Sequence, residues 1–162
     1  MNLIQALPCS RSGSATAAAL VATLDGSPAT TAAVQCLPEG VSWLQVRADL
    51  VGDVPAAWLR ERFSGQLFYT LGGGGDSAVL GRGERLVAAA AEGYDLVELD
   101  AQRDIRTEVL AAIPPDQRMI CWRGTAASAS ELASLFRCLS KIEARSYHFI
   151  VEARRASDGL AP

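Results

Sequence analysis

Residues 66–100 read QLFYTLGGGGDSAVLGRGERLVAAAAEGYDLVELD and decide the fold class. An apolar run at 67–71 predicts a strand, a glycine-rich loop follows, and residues 83–92 predict a helix that Gly93 ends. A second apolar run at 96–99 predicts another strand, which ends in Asp100. Both runs are mainly apolar rather than alternating, as in strands covered on both faces, and a right-handed crossover through the helix makes the two strands parallel.

The same alternation extends along the chain in both directions. Further strands are predicted at 20–24, 41–46, 119–122 and 147–151, and further helices at 30–36, 55–63, 106–113 and 130–142, the last with Ser130 as its N-cap. Strands that alternate with helices predict a parallel α/β sheet. An open doubly wound sheet and a (β/α)8 barrel both fit, although a complete barrel usually needs about 200 residues or more.

Composition restricts the function more than any short motif does. The 162 residues carry 49% hydrophobic residues and a net charge of −3, which is typical of a globular protein and does not suggest nucleic-acid binding. Residues 1–19 are interpreted as a mobile leader and 20–162 as one domain. We expect a cytoplasmic protein with no membrane segment, because no apolar run is long enough to span a bilayer.

Reactive side chains are scarce. Lys141 is the single lysine and His148 the single histidine. The four cysteines lie far apart, so we expect buried free thiols rather than a zinc site or a disulfide framework, and no cofactor. Their positions are Cys9, Cys36, Cys121 and Cys138.

Ligands of parallel α/β proteins bind at the carboxyl ends of the strands. A group of polar residues at these strand ends would suit a small carboxylate: Gln45, Arg47, Arg123 and His148. The alternatives are that Arg47 only forms an ion pair with Asp49 or Glu98, and that His148 is structural. Glu98 and Asp100 share one face of a strand and are interpreted as a salt-bridge cluster.

These motifs resemble the type I 3-dehydroquinate dehydratases, (β/α)8 enzymes of the shikimate pathway, between residue 20 and the C-terminus. The segment 45–49 resembles the family's E-L-R-x-D, the segment 70–72 its T-L-R, and the segment 93–100 its G-x-D-x-V-D-L-E. The segment 120–132 resembles the family's I-S-Y-H-D-F with S-x-x-E-L, and the segment 148–153 its K-I-V-x-x-A. The resemblance implies a barrel of the TIM type with about six of eight β/α units, and 3-dehydroquinate or a related acid as the ligand. It also implies a homodimer or fusion to a downstream shikimate dehydrogenase domain.

The departures from the family fall on its catalytic positions. By this alignment His148 replaces the Schiff-base lysine, Arg123 the general acid/base histidine, Gln45 a glutamate and Gly72 a substrate-binding arginine; only Arg47 is retained. An alignment of residues 146–148 with the family's S-Y-H restores the histidine but supplies no lysine. The sequence therefore leaves three hypotheses: a dehydratase-like domain without dehydratase chemistry, a lyase or isomerase with His148 as base, and a phosphate-binding barrel of another family.

Overall fold

A computed structural model describes residues 19–26, 34–72, 81–126 and 128–152. The predicted leader up to residue 18, most of the predicted helix at 30–36, the glycine run at 73–75 and the C-terminal residues 153–162 lie outside this description. The chain divides into two compact units, residues 1–97 and 98–162, which are described separately.

Six strands confirm the predicted strand positions to within about one or two residues. They are Leu20–Leu24 (β1), Val41–Arg47 (β2), Gln66–Thr70 (β3), Leu96–Asp100 (β4), Arg118–Gly124 (β5) and Ser146–Val151 (β6). The strands are parallel, and hydrogen-bonded neighbours follow the order of the chain. The predicted parallel α/β class is therefore confirmed. A doubly wound sheet is excluded for these strands, because its order reverses at a switch point.

The helices between the strands are short. They are Ala48–Val51 (α1), Ala56–Arg60 (α2), Arg82–Glu92 (α3), Thr107–Ala112 (α4) and Ala129–Leu139 (α5), with a 3-10 turn at Pro115–Gln117. As predicted, Gly93 ends α3 with a φ of 101°, a left-handed conformation that favours glycine.

The predicted start of α5 is wrong by two residues. Ser128, not Ser130, is the N-cap, and its Oγ accepts a hydrogen bond from the backbone N–H of Glu131 at 3.2 Å. The Oγ of Ser130 lies 2.9 Å from that of Ser128 instead. A serine followed three residues later by a glutamate is the capping-box pattern, so the sequence did contain the signal for Ser128.

The first unit packs α2 and α3 with the strands β1–β3 and the beginning of β4. Its fully buried side chains include Leu44, Leu67 and Leu86. The rings of Tyr69 and Tyr94 meet edge to face with centroids 5.2 Å apart, and the hydroxyl of Tyr94 donates to the carbonyl of Val54 at 2.7 Å. Buried tyrosine hydroxyls need such partners, so this pair ties the sheet to the loop before α2.

The second unit contains the end of β4 with β5 and β6. The buried Arg118 at the start of β5 donates to the carbonyl oxygens of Leu110, Ile113 and Glu143. Its guanidinium therefore joins the end of α4 to the segment that leads into β6. Five donors in a planar fork suit arginine to such multiple carbonyl contacts.

Candidate functional site

Alternation of side chains along the strands divides the second unit into an aromatic face and a polar face. Phe136 of α5 packs edge to face on Tyr147 and Phe149 of β6, and Trp122 of β5 contacts Phe149. Because neighbouring residues in a strand point to opposite faces, Cys121 and His148 belong to the other face. They are direct partners in the parallel register of β5 and β6.

Arg123 forms the main ion pair of the polar face. Its Nη2 lies 2.5 Å from Oε1 of Glu98, and its Nη1 lies 3.9 Å from Oδ2 of Asp100. Burial alone would lower the pKa of Arg123, but the charge and hydrogen bond of Glu98 outweigh it and raise the pKa. The predicted salt-bridge cluster around Glu98 and Asp100 is thus confirmed. Nη1 is buried and has no hydrogen-bond partner within the described residues.

Glu98, Cys121 and His148 bring an oxygen, a sulfur and a nitrogen atom together. These atoms all lie within 4.8 Å of one another. Burial, with the adjacent charge of Glu98, raises the pKa of the Cys121 thiol to about 12. Burial also lowers the pKa of His148; Glu98 opposes this shift and Arg123 reinforces it. At neutral pH both the thiol and the imidazole are therefore uncharged.

The charge of the cluster does not suit an anion. Among the residues that the structure describes, two carboxylates, Glu98 and Asp100, face the guanidinium of Arg123. Because Arg123 is already balanced, an incoming carboxylate would meet a site with an excess of one negative charge. A carboxylate ligand would have to be held by hydrogen bonds rather than by net attraction.

The other two predicted site residues, Gln45 and Arg47, lie on β2 in the first unit. Oε1 of Gln45 accepts a hydrogen bond from Thr23 at 2.9 Å. Arg47 donates through Nε and Nη2 to the two carboxylate oxygens of Asp49, at 2.8 and 2.6 Å. The ion pair weighed as an alternative role for Arg47 is therefore formed with Asp49. That geometry does not test substrate binding, which stays a prediction.

The Arg47–Asp49 pair fills the space beside Gly72. Gly72 has a φ of 54°, and a Cβ placed there would lie 2.3 Å from Oδ2 of Asp49 and 3.1 Å from Nη2 of Arg47. The hydrogen bond from Arg47 is the largest influence on Asp49 and lowers its pKa. The position that resembles the family's strand-three arginine therefore has no room for a side chain while this pair is formed.

Arg123 and His148 were predicted as site residues from their place on the strands, whereas Cys121 was predicted only as a buried thiol. That prediction is confirmed for Cys121 and is wrong for Cys36 and Cys138, which are exposed. Alternation along β5 places Cys121 on the face of Arg123, and that is the signal that could have found it. Lys141, the residue an imine would need, is exposed in the turn after α5.

Comparison with protein-family models and with curated proteins finds no match to this chain. The dehydratase resemblance therefore remains an expectation from the motifs. Within the described residues, no helix is both long enough and apolar enough to cross a membrane.

Proposed function

We propose that this chain is a dehydroquinate-dehydratase-like domain that has lost imine chemistry and acts as a non-catalytic scaffold, regulatory or ligand-binding module. The observation that carries the proposal is the environment of His148. At the position that resembles the family's Schiff-base lysine, an imidazole lies beside Glu98 and Cys121. An imine requires a primary amine, which an imidazole cannot supply.

The position of the single lysine supports this proposal. Lys141 lies in an exposed turn that precedes β6, toward the amino end of that strand. Ligands of (β/α) proteins bind at the carboxyl ends of the strands. Lys141 is therefore poorly placed to form an imine with a ligand bound there.

The role of Arg123 supports it as well. The family's mechanism needs a residue at this position that gains and loses a proton near neutral pH, as histidine does. A guanidinium stays protonated, and the ion pair with Glu98 strengthens that state. Arg123 therefore suits the neutralisation of Glu98 and not proton transfer.

We also propose that the sheet belongs to a partial barrel of the TIM type. The sequential order of the six parallel strands is the order found in barrels of the TIM type, and the motif resemblance covers about six of the eight units of such a barrel. A fused downstream domain or a second copy of the chain would then cover the edge of the sheet, because an open edge invites pairing with other chains.

A second candidate function is a lyase or isomerase reaction with His148 as general base. It is favoured by the burial that lowers the pKa of His148, since a neutral imidazole accepts a proton. Nη1 of Arg123 offers a donor to a substrate carboxylate. The excess negative charge of Glu98 and Asp100 works against this candidate, and we place it second.

Turnover of 3-dehydroquinate to 3-dehydroshikimate, followed by the absorbance of the product, separates the two candidates. The non-catalytic proposal predicts no product from the unmodified chain above the buffer rate. Product from the unmodified chain that disappears in His148→Ala would establish the second candidate. Product that persists in His148→Ala would overturn both.

A further inference from the structure

We propose that Glu98, Cys121 and His148 form a binding site for a divalent transition-metal ion of the zinc type. Cysteine sulfur, histidine nitrogen and carboxylate oxygen are the three donor types that zinc accepts in proteins. Their donor atoms lie within 4.8 Å of one another, so small side-chain rotations bring all three to one ion. Three protein ligands leave the fourth tetrahedral position for water or another ligand.

The sheet holds the three donors in place. Each comes from a different strand, β4, β5 or β6, and the register pairs Cys121 directly with His148. Ligands on paired strands are held more firmly than ligands on loops, so little conformational entropy remains to be lost on binding. Cys121 is fully buried and Glu98 is 3% exposed, whereas His148 is partly exposed and gives an ion access from its side.

Arg123 does not prevent this role for Glu98. It pairs with Oε1, and a carboxylate has a second oxygen that can bind an ion in a monodentate manner. A hydrogen-bond partner of this kind orients a ligating carboxylate and is common around metal sites. Asp100, 3.9 Å from Nη1 of Arg123, partly balances the guanidinium.

The charges favour a cation. A divalent ion with the carboxylate of Glu98 and the thiolate of Cys121 gives a neutral centre. The pair of Arg123 and Asp100 beside it is neutral as well. When the sulfur–metal bond forms, the thiol S–H bond breaks and its proton passes to solvent, so one proton is released for each ion bound.

This inference does not depend on the proposed dehydratase resemblance. It is incompatible with His148 as a general base, because a nitrogen that binds a metal ion cannot accept a proton. Failure of the metal site would leave the non-catalytic proposal intact. Turnover that depends on His148 would contradict both proposals.

The test uses cobalt(II), whose bond to a thiolate absorbs in the near ultraviolet. The starting protein is an untagged triple variant, Cys9→Ser/Cys36→Ser/Cys138→Ser, in which Cys121 is the single thiol. Two of these replaced cysteines, Cys36 and Cys138, are exposed, so their substitution should leave the fold intact. The protein is first treated with a chelator, and circular dichroism checks that it is folded. Cobalt(II) is then titrated into it.

The site predicts a thiolate–cobalt band that saturates at one ion per chain, decreases on addition of zinc, and disappears when His148→Ala or Cys121→Ser is added. Absence of the band from the folded triple variant would overturn the proposal. So would a band that is unchanged by His148→Ala. If Cys121→Ser does not fold, His148→Ala at the partly exposed ligand still decides the result.

Discussion

Nη2 of Arg123 lies 2.5 Å from Oε1 of Glu98, and this ion pair occupies the place where the dehydratase resemblance expects a proton-transferring histidine. The side chain of Glu98 is 4% exposed and that of Arg123 is 29% exposed. The pair therefore neutralises a buried carboxylate next to Cys121 and His148. Because the guanidinium is already paired with Glu98, the additional carboxylate of Asp100 makes the polar face of the second unit suit a cation better than an anionic substrate.

Removal of Arg123 should therefore destabilise the protein. Arg123→Met leaves the buried carboxylate of Glu98 without its close partner, and we expect a loss of about 3 kcal/mol in the free energy of unfolding. The matched control is Arg137→Met on the exposed surface of α5, with an expected change within about 0.5 kcal/mol. Urea denaturation of both variants measures the difference. Equal losses would show that the ion pair with Glu98 contributes no more to the free energy of unfolding than an exposed arginine does.

Gly72 should tolerate no side chain. Gly72→Ala adds a Cβ 2.3 Å from Oδ2 of Asp49 at a φ of 54°. The control is Gly93→Ala, which has a φ of 101° but no atom within 4 Å of its Cβ. Backbone strain alone should cost about 1–2 kcal/mol in the control, and Gly72→Ala should cost more because the clash adds to it.

The clash at Gly72 can be separated from the strain by a double variant. Adding Asp49→Ala to Gly72→Ala removes the carboxylate that the new Cβ meets. Part of the lost stability should return, so the two substitutions should be less destabilising together than the sum of their separate effects. Strict additivity in urea denaturation would show that Asp49 does not restrict position 72.

Acid should weaken the first unit through Asp53. The hydrogen bond from Arg85 is the main cause that lowers the pKa of this carboxyl; burial opposes it and the hydroxyl of Tyr69, 2.5 Å away, reinforces it. A lowered pKa contributes stability that is present above the ordinary aspartate pKa of about 3.9 and is lost as the pH falls through the lowered value.

The test compares the pH dependence of the urea midpoint in wild type and in Asp53→Asn. The advantage of wild type should be constant near neutral pH and shrink below pH of about 4. Asp116→Asn, in the exposed 3-10 turn, is the control and should follow the wild-type curve. An advantage of wild type that persists unchanged at low pH would refute the role assigned to Asp53.

Thiol labelling should distinguish the cysteines. Cys36 and Cys138 are exposed, whereas Cys121 is fully buried. Iodoacetamide under native conditions should modify Cys36 and Cys138 and leave Cys121 unmodified until denaturant is added, as peptide mass mapping can show. Rapid native modification of Cys121 would mean that β5 is not buried as described.

The strands could be predicted from the sequence because continuous apolar runs such as residues 119–122 have few alternatives in an α/β chain. Alternation of side chains along β4 gave Glu98 and Asp100 a common face and correctly indicated an ion-pair cluster with arginine. Helix ends were less well predicted. The helix expected to reach residue 63 ends at Arg60, where the N–H groups of Arg62 and Phe63 both bond to the carbonyl of Leu59.

The donor cluster could not be predicted, because its members are far apart in sequence. Cys121 and His148 meet through the register of β5 with β6, which no local pattern fixes. The lack of space for a side chain at Gly72 could not be predicted either, because it depends on the ion pair that Arg47 forms with Asp49. Sequence patterns indicate which face a residue occupies, and the register decides what it meets there.

Borohydride trapping shows whether this chain forms an imine with 3-dehydroquinate. The protein is incubated with 3-dehydroquinate and borohydride, and its intact mass is measured. We expect an unchanged mass, because no imine forms. A gain in mass equal to the reduced ligand, located on Lys141, would contradict it and would show that the single lysine performs the family's chemistry from an unexpected position.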